Sequence, residues 1–146
     1  MKVVICYFSG TGNTAKIVQE YRKNLAEHSA SVETYAMENL LTNGLSEEFM
    51  NNLNDAELLG IAYPVHAFNA PSIVLKFVKS LPKATANKHA FIINTSGEPL
   101  KLNNISSLKT QSLLKRRNYS VANEYHYVMP YNIMFRHNDT MAYRMW

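Results

Sequence analysis

The chain has 146 residues, of which 47% are hydrophobic and 18% charged, and its formal net charge is +4. This length is ample for a hydrophobic core, so we predict a single domain over residues 1–146. No apolar run reaches the ~20 residues of a membrane-spanning helix, and the run at 3–8 is too short for a signal peptide. We therefore expect a cytoplasmic protein with no membrane partner. The single Cys6 excludes an internal disulfide and an iron–sulfur cluster.

The positively charged residues are not concentrated in one part of the sequence, as a nucleic-acid site would require. The basic residues are spread along the chain, and the densest cluster is Lys115, Arg116 and Arg117. Nucleic-acid sites concentrate their charge in one patch, so we predict no nucleic-acid partner.

The chain begins with a predicted strand and a predicted helix. The apolar run at 3–8 favours a strand buried on both faces, in which Cys6 is a packed core thiol. Asn13 or Thr14 is the expected N-cap of the helix that follows. The apolar residues on one face of that helix are Ile17, Val18, Tyr21 and Leu25.

A strand, a helix and another buried strand come next. Residues 31–37 alternate between polar and apolar side chains, which is typical of an edge strand with one face less covered. Ser46, with two glutamates after it, indicates the start of a helix. The apolar run at 58–63 predicts a second strand that is buried on both faces.

The second half of the chain continues this alternation. Pro71 suits the first turn of a helix that stops at Pro82, and residues 90–93 predict a third buried strand. A less regular helix covers about 104–117, and the alternating residues 120–129 predict a second edge strand. The apolar residues of the first of these helices are Ile73, Val74, Phe77, Val78 and Leu81, and those of the second are Ile105, Leu108, Leu113 and Leu114.

This order of elements predicts the fold class. Strands that alternate with helices form an α/β protein, and we predict a doubly wound five-stranded parallel sheet in the order 2-1-3-4-5. Ligands of such sheets bind beyond the carboxyl ends of the strands, at the switch point between strands 1 and 3. The loops at 9–14, 64–71 and 95–103 are therefore the predicted binding loops.

The first of these loops has almost nothing to bury. Backbone N–H groups at a helix start form an anion site, to which three hydroxyls add donors, while two glycines let a ligand approach the backbone closely. The loop contains no lysine, so we predict a terminal phosphate monoester held by neutral donors. A hydroxyl-rich helix cap without a ligand is the alternative. The six residues are Ser9, Gly10, Thr11, Gly12, Asn13 and Thr14.

Other phosphate-binding motifs fit this chain less well. Lys16 comes too late for a nucleoside-triphosphate loop. The glycines satisfy a loose dinucleotide pattern, but that pattern also needs an acid at the end of the second strand, and Glu33 and Glu38 both miss that position. A small phosphatase would have an arginine six residues after its nucleophilic cysteine, where this chain has Gly12 after Cys6. A phosphoryl-receiver domain would have an aspartate at the end of the third strand, where this chain has Tyr63 and Pro64.

The first loop resembles that of a known family. Residues 9–14, directly after a first strand, resemble the FMN phosphate loop of flavodoxins, Ser/Thr-x-Thr-Gly-x-Thr, and the strand order agrees over most of the chain. The segments "YFSGTGNT" and "YPVHAFNAPS" and the Met-Pro after the last strand resemble a subgroup often fused to a ferredoxin-type domain in anaerobic microbes. The resemblance implies a flavodoxin-like fold with FMN as cofactor and its phosphate in residues 9–14.

The resemblance also implies where the flavin ring lies. The ring would extend from the phosphate to the two other loops, which supply flat or apolar walls and backbone donors. His66 and Phe68 are the candidates for stacking, and Gly97 allows a close approach. The implied ring-contacting residues are Pro64, Val65, His66, Ala67, Phe68, Thr95, Ser96, Gly97 and Glu98, and Tyr131 and Asn132 are candidates for the ring edge.

The chain departs from typical flavodoxins in three ways. It is basic rather than acidic, so we expect an acidic redox partner, either ferredoxin-like or a reductase. The loop at 64–71 lacks the glycine that supports a reduced ring, although Asn69 tolerates a positive φ. The fifth helix of the fold, which we call the C-terminal helix, is expected from about 138 and is short or missing. A homodimer or a second domain is expected to cover the face that it leaves.

The leading functional hypothesis is an FMN-binding, flavodoxin-like electron-transfer protein. No acid–base pair and no nucleophile–base pair stands out, so we predict no catalytic residue and no metal ligand. One alternative is a flavin-dependent reductase of a small organic acceptor. Another is a partner-binding or regulatory flavodoxin-fold module with weak or no flavin.

Overall fold

The computed structural model describes residues 1–98 and 105–130. The strands in these residues form one parallel sheet in the order β2-β1-β3-β4-β5. This arrangement confirms the predicted fold class. The strands are β1 Lys2–Tyr7, β2 Ser31–Ala36, β3 Leu58–Pro64, β4 Lys88–Ser96 and β5 Tyr119–Val128.

Helices connect the strands. The predicted helix start at Ser46 is confirmed, because its hydroxyl accepts a hydrogen bond from the Phe49 N–H at 3.2 Å. The sequence does not predict α2, whose seven residues are too few to show a helical period. The helices of the described residues are α1 Asn13–Glu27, α2 Met37–Asn43, α3 Glu47–Asp55, α4 Ser72–Ser80 and α5 Leu108–Arg116.

Helices α4 and α5 differ from their predicted limits. Pro71 occupies the N-cap of α4, one residue before the helix, and α5 begins at Leu108 rather than near 104. Ile105 and Leu108 are exposed, so the expected apolar stripe does not form. The uneven spacing leaves Leu114 fully buried and Leu113 partly buried against the hydrophobic core, with the other two apolar side chains exposed.

The last strand does not alternate as predicted, because it contains a β-bulge. Ala90 of β4 pairs with Val121, but the next residue, Phe91, pairs with Asn123. Ala122 is therefore an extra residue in β5. Since side chains alternate between faces, the bulge moves every later residue of β5 to the face opposite the one that strict alternation would give.

Hydrophobic side chains form a core on each face of the sheet. Val4 and Cys6 of β1 belong to one core, and Val3 and Ile5 belong to the other. Helices α2 to α5 contribute side chains to the first core and α1 to the second. Cys6 is fully buried in the first core, which confirms the prediction of a packed core thiol, and this burial raises the pKa of the thiol. Within residues 1–98 and 105–130, no helix has the length and hydropathy needed to cross a membrane.

Candidate functional site

The three predicted binding loops meet at the carboxyl edge of the sheet, around a pocket of about 370 Å³. Fourteen of the fifteen predicted site residues line this pocket, and Gly12 is the exception. Two further lining residues, Met129 and Pro130, follow β5. The Met-Pro pair is visible in the sequence, but no sequence pattern indicates that β5 ends beside the pocket. The lining residues are Ser9, Gly10, Thr11, Asn13, Thr14, Pro64, Val65, His66, Ala67, Phe68, Thr95, Ser96, Gly97, Glu98, Met129 and Pro130.

The first loop starts α1 without a cap from Asn13 or Thr14, so that prediction was wrong. The N-cap is Gly12, whose φ of 94° would strain any residue with a side chain. The Ser9 hydroxyl takes the capping role instead and accepts a hydrogen bond from the Ala15 N–H at 3.1 Å. The loop therefore surrounds the positive end of a 15-residue helix, which is an arrangement that binds anions.

Thr95, at the end of β4, joins the three loops. Its hydroxyl lies 2.8 Å from the Thr14 hydroxyl, and both side chains are buried. Its carbonyl accepts a hydrogen bond from the Val65 N–H at 2.8 Å. The first and second loops are therefore both joined to the end of β4 by hydrogen bonds within the protein.

The second loop is a tight turn with an unusual backbone. His66 and Asn69 exchange two backbone hydrogen bonds of 2.9 Å each, and Ala67 and Phe68 between them have φ values of 46° and 61°. Positive φ at both central residues is the signature of a type I′ turn, which normally takes Asn-Gly. The left-handed residues are thus Ala67 and Phe68, not Asn69. The Asn69 side chain instead donates to the Ala67 carbonyl at 3.0 Å.

The aromatic side chains of this turn form one wall of the pocket. Phe68 is 51% exposed, so its ring does not pack down on the protein. The His66 ring contacts the Phe8 ring edge-on, with ring centroids 6.2 Å apart. A strained turn that holds an exposed aromatic ring beside a pocket is typical of a ligand-binding loop.

We expect Phe68→Gly to give a more stable flavin-free protein than Phe68→Ala, by about 1 kcal/mol. Both variants remove the ring, but only glycine takes the left-handed conformation without strain, which costs other residues about 1–2 kcal/mol. Urea unfolding followed by circular dichroism measures the difference in free energy of unfolding. Equal stability of the two variants would show that the turn is not strained at Phe68.

The third loop begins with a compact turn. The Ser96 hydroxyl donates to the Glu98 carbonyl at 2.6 Å, and the Ser96 carbonyl accepts from the Met129 N–H at 2.7 Å. His126 of β5, which the sequence did not suggest, lies against this turn with its Nε2 atom 2.8 Å from the Ser96 hydroxyl. The predicted parts that fall outside the described residues are 99–103, Tyr131, Asn132 and the C-terminal helix.

The pocket has two unlike ends. Its described lining includes neither lysine nor arginine, and Glu98 is its one acidic side chain. An anion at the first loop would therefore be held by hydroxyls, backbone N–H groups and the dipole of α1. The second loop offers flat and apolar side chains instead. The pocket thus suits a molecule that has an anionic group at one end and a flat ring at the other.

The sheet order and the place of the pocket define a flavodoxin-like fold. No protein-family model matches the chain, and none of the curated proteins matches it. Among solved structures, the chain is similar to the two-electron reduced flavodoxin of Megasphaera elsdenii, with a TM-score of 0.70 and 19% identity over 90% of each chain.

Two other solved structures show the same similarity of fold. The FMN-bound flavodoxin of Fusobacterium nucleatum matches with a TM-score of 0.58 and 16% identity, over 83% of this chain and 68% of that one. The apo form of the NADH:FMN oxidoreductase EMOB matches with a TM-score of 0.67 and 19% identity, over 99% of this chain and 84% of that one. At these identities the similarity establishes the fold alone.

Proposed function

We propose that the protein binds FMN in this pocket and transfers electrons between redox partners. The observation that carries the proposal is the pairing of two unlike walls in one pocket, with neutral donors at the start of α1 and flat side chains in the second loop. FMN has the matching ends, a phosphate and a flat ring. Bound FMN would supply the electron-accepting chemistry, and the protein would orient it and control access.

Each loop has a separate part in this proposal. The first loop holds the phosphate through hydroxyls such as that of Thr11 and through the N–H groups that open α1. The type I′ turn presents His66 and Phe68 to the ring. The turn at 96–98 supplies backbone groups to the polar edge of the ring. The flavodoxin of Fusobacterium nucleatum, which shares the fold and is bound to FMN, supports FMN as the ligand of this pocket.

The charge of the chain suggests the kind of redox partner. A net charge of +4 attracts an acidic surface and speeds the encounter with it at low ionic strength. We therefore propose an acidic partner, either ferredoxin-like or a reductase. Coverage of one sheet face by a homodimer or a second domain is a further proposal, and the cytoplasmic location remains a prediction of the sequence.

A second candidate function is reduction of a small organic acceptor. The observation that favours it is the similarity to the NADH:FMN oxidoreductase EMOB, which extends over 99% of this chain. In this case a second molecule would have to reach the flavin ring past His66 and Phe68. The third hypothesis, a partner-binding or regulatory module, predicts that the pocket binds FMN weakly or not at all.

The first experiment is an absorption spectrum of the purified protein, taken after micromolar FMN has been added and the excess removed. We expect a flavin band that stays with the protein. Turnover of NADH with a quinone acceptor would then favour the reductase. Electron exchange with a reduced ferredoxin, without such turnover, would favour the carrier. A protein that retains no flavin would contradict both and leave the module hypothesis.

A further inference from the structure

His126 lies on β5 directly behind the turn at 96–98. Its Nε2 atom is 2.8 Å from the Ser96 hydroxyl oxygen and 3.2 Å from the Glu98 carbonyl oxygen. A carbonyl oxygen only accepts, so in the neutral ring the hydrogen is on Nε2. The Ser96 hydroxyl uses its own hydrogen for the Glu98 carbonyl, at 2.6 Å. One imidazole N–H therefore contacts both ends of this turn.

The other ring nitrogen of His126 differs from Nε2 in its hydrogen bonding. Its Nδ1 atom is buried and has no hydrogen-bond partner among residues 1–98 and 105–130. In the neutral ring this atom carries no hydrogen. Protonation would place an N–H there, and a buried donor without an acceptor is costly. Burial accordingly lowers the pKa of His126, although the Glu98 carbonyl and Glu124 act in the opposite direction.

Within residues 1–98 and 105–130, the charged side chain that acts on the His126 ring is Glu124, on the same strand. Its carboxylate is already occupied, because it accepts hydrogen bonds from α5, from the residue before α5 and from β4. Tyr63 of β3 also faces this network, and burial raises its pKa, so it stays neutral. The donors to Glu124 are Gln111, Ser107 and Asn94.

We propose that His126 is a positioning residue for the turn at 96–98 and that it couples flavin binding to pH. The neutral ring holds the turn in the shape that lines the pocket. A protonated ring has to move so that its second N–H reaches water, and the turn then loses its two contacts with the imidazole. This proposal rests on the proposed FMN site and adds a regulation of that site.

The direction of the pH dependence follows from linkage. The FMN complex holds the neutral ring, so it binds a proton less readily than the flavin-free protein does. The contribution of His126 to FMN affinity is therefore constant above the histidine pKa of the flavin-free protein, which lies below the ordinary value of about 6.5. Affinity falls as the pH drops below that pKa, by up to about tenfold per pH unit.

The test compares FMN dissociation constants from pH 8 to pH 5 in the wild type, His126→Gln and His126→Phe. Glutamine keeps a donor in the place of Nε2 but does not titrate, whereas phenylalanine removes the donor. The phosphate of FMN itself titrates near pH 6, so the wild type is compared with the glutamine variant at each pH. At the acid end of this range we expect the wild type to lose more affinity than His126→Gln, by up to about tenfold for each pH unit below the histidine pKa. His126→Phe should bind weakly at every pH.

His89→Gln is the matched control, because His89 is exposed and lies near the start of β4, away from the pocket. It should keep the wild-type pH profile. Identical profiles for the wild type and His126→Gln would overturn the proposal. Urea unfolding of each variant shows whether it is folded.

A second measurement does not depend on flavin. In the flavin-free protein, the amide NMR signals of residues 96–98 should shift with the titration of His126, and these shifts should be absent in His126→Gln. If FMN binds at no pH, the proposed function fails, and this measurement alone decides whether His126 controls the turn. If the amide signals of residues 96–98 do not shift as His126 titrates, His126 does not control the turn.

Discussion

Gly60→Ala is expected to lower the free energy of unfolding by about 1–3 kcal/mol, and Gly60→Val by more. Gly60 lies in the middle of β3, directly between Ile5 of β1 and Phe91 of β4. A Cβ atom at this position would lie 2.6 Å from Phe91 Cζ and 3.1 Å from Ile5 Cγ1. Both distances are shorter than van der Waals contact, so the neighbours would have to move.

The Phe91 ring has little freedom to withdraw from residue 60. It is stacked on the Tyr21 ring, with an interplanar angle of 16° and centroids 6.1 Å apart. The Tyr125 ring meets it edge-on, with centroids at 6.4 Å. Phe91 is also almost fully buried. The added methyl group therefore strains a packed aromatic cluster instead of displacing a mobile side chain.

A double-mutant cycle with Phe91→Leu tests this explanation by urea unfolding. Leucine frees the space occupied by the far edge of the ring, so Gly60→Ala should cost less in the Phe91→Leu background than in the wild type. Gly10→Ala is the control, because a Cβ there has no atom within 4 Å and its φ is not left-handed. Strictly additive costs of Gly60→Ala and Phe91→Leu would contradict the proposed clash.

The strand order and the main pocket could be predicted because they depend on patterns within short segments. Continuous apolar runs identify the buried strands, and the run of Ser, Thr, Gly and Asn at 9–14 identifies the loop after the first strand. Once the sheet order is known, its switch point brings three loops together. Fourteen predicted residues consequently line one pocket.

The features that were missed depend on register and on backbone conformation. His126 reaches the turn at 96–98 only because the bulge at Ala122 shifts the pairing of β5 and places His126 opposite Asn94. Without that extra residue, His126 would face the other side of the sheet, and no local pattern reveals the bulge. The left-handed Ala67 and Phe68 could not be predicted either, since both residues normally avoid that conformation.

Loss of FMN binding in Thr11→Val is the sharpest prediction for the first loop. A hydrogen bond to a charged group contributes about 1.5–3 kcal/mol, so removal of one hydroxyl donor should weaken FMN binding roughly 10- to 150-fold. Valine has nearly the same shape as threonine and Thr11 is exposed, so the substitution should not disturb the packing around the pocket. Fluorescence quenching of FMN on titration with protein measures the dissociation constant.

Riboflavin separates the phosphate contact from a general disturbance of the pocket, because it has the same ring and no phosphate. Thr11→Val should leave riboflavin affinity unchanged while it weakens FMN. Thr34→Val, in the middle of β2 and outside the pocket, is the control for the substitution itself and should bind FMN as the wild type does. Equal losses for FMN and riboflavin would contradict a phosphate role for Thr11.

Thr14→Val should behave differently from Thr11→Val, although both residues belong to the same motif. The Thr14 hydroxyl is bonded to the buried Thr95 hydroxyl, so its removal leaves Thr95 without that partner and should cost about 1–3 kcal/mol of stability. Its effect on FMN should then include a loss of riboflavin affinity, because the first loop is no longer fixed to β4. If Thr14→Val weakens only FMN and keeps full stability, the Thr14 hydroxyl serves the phosphate and not the joint between the loops.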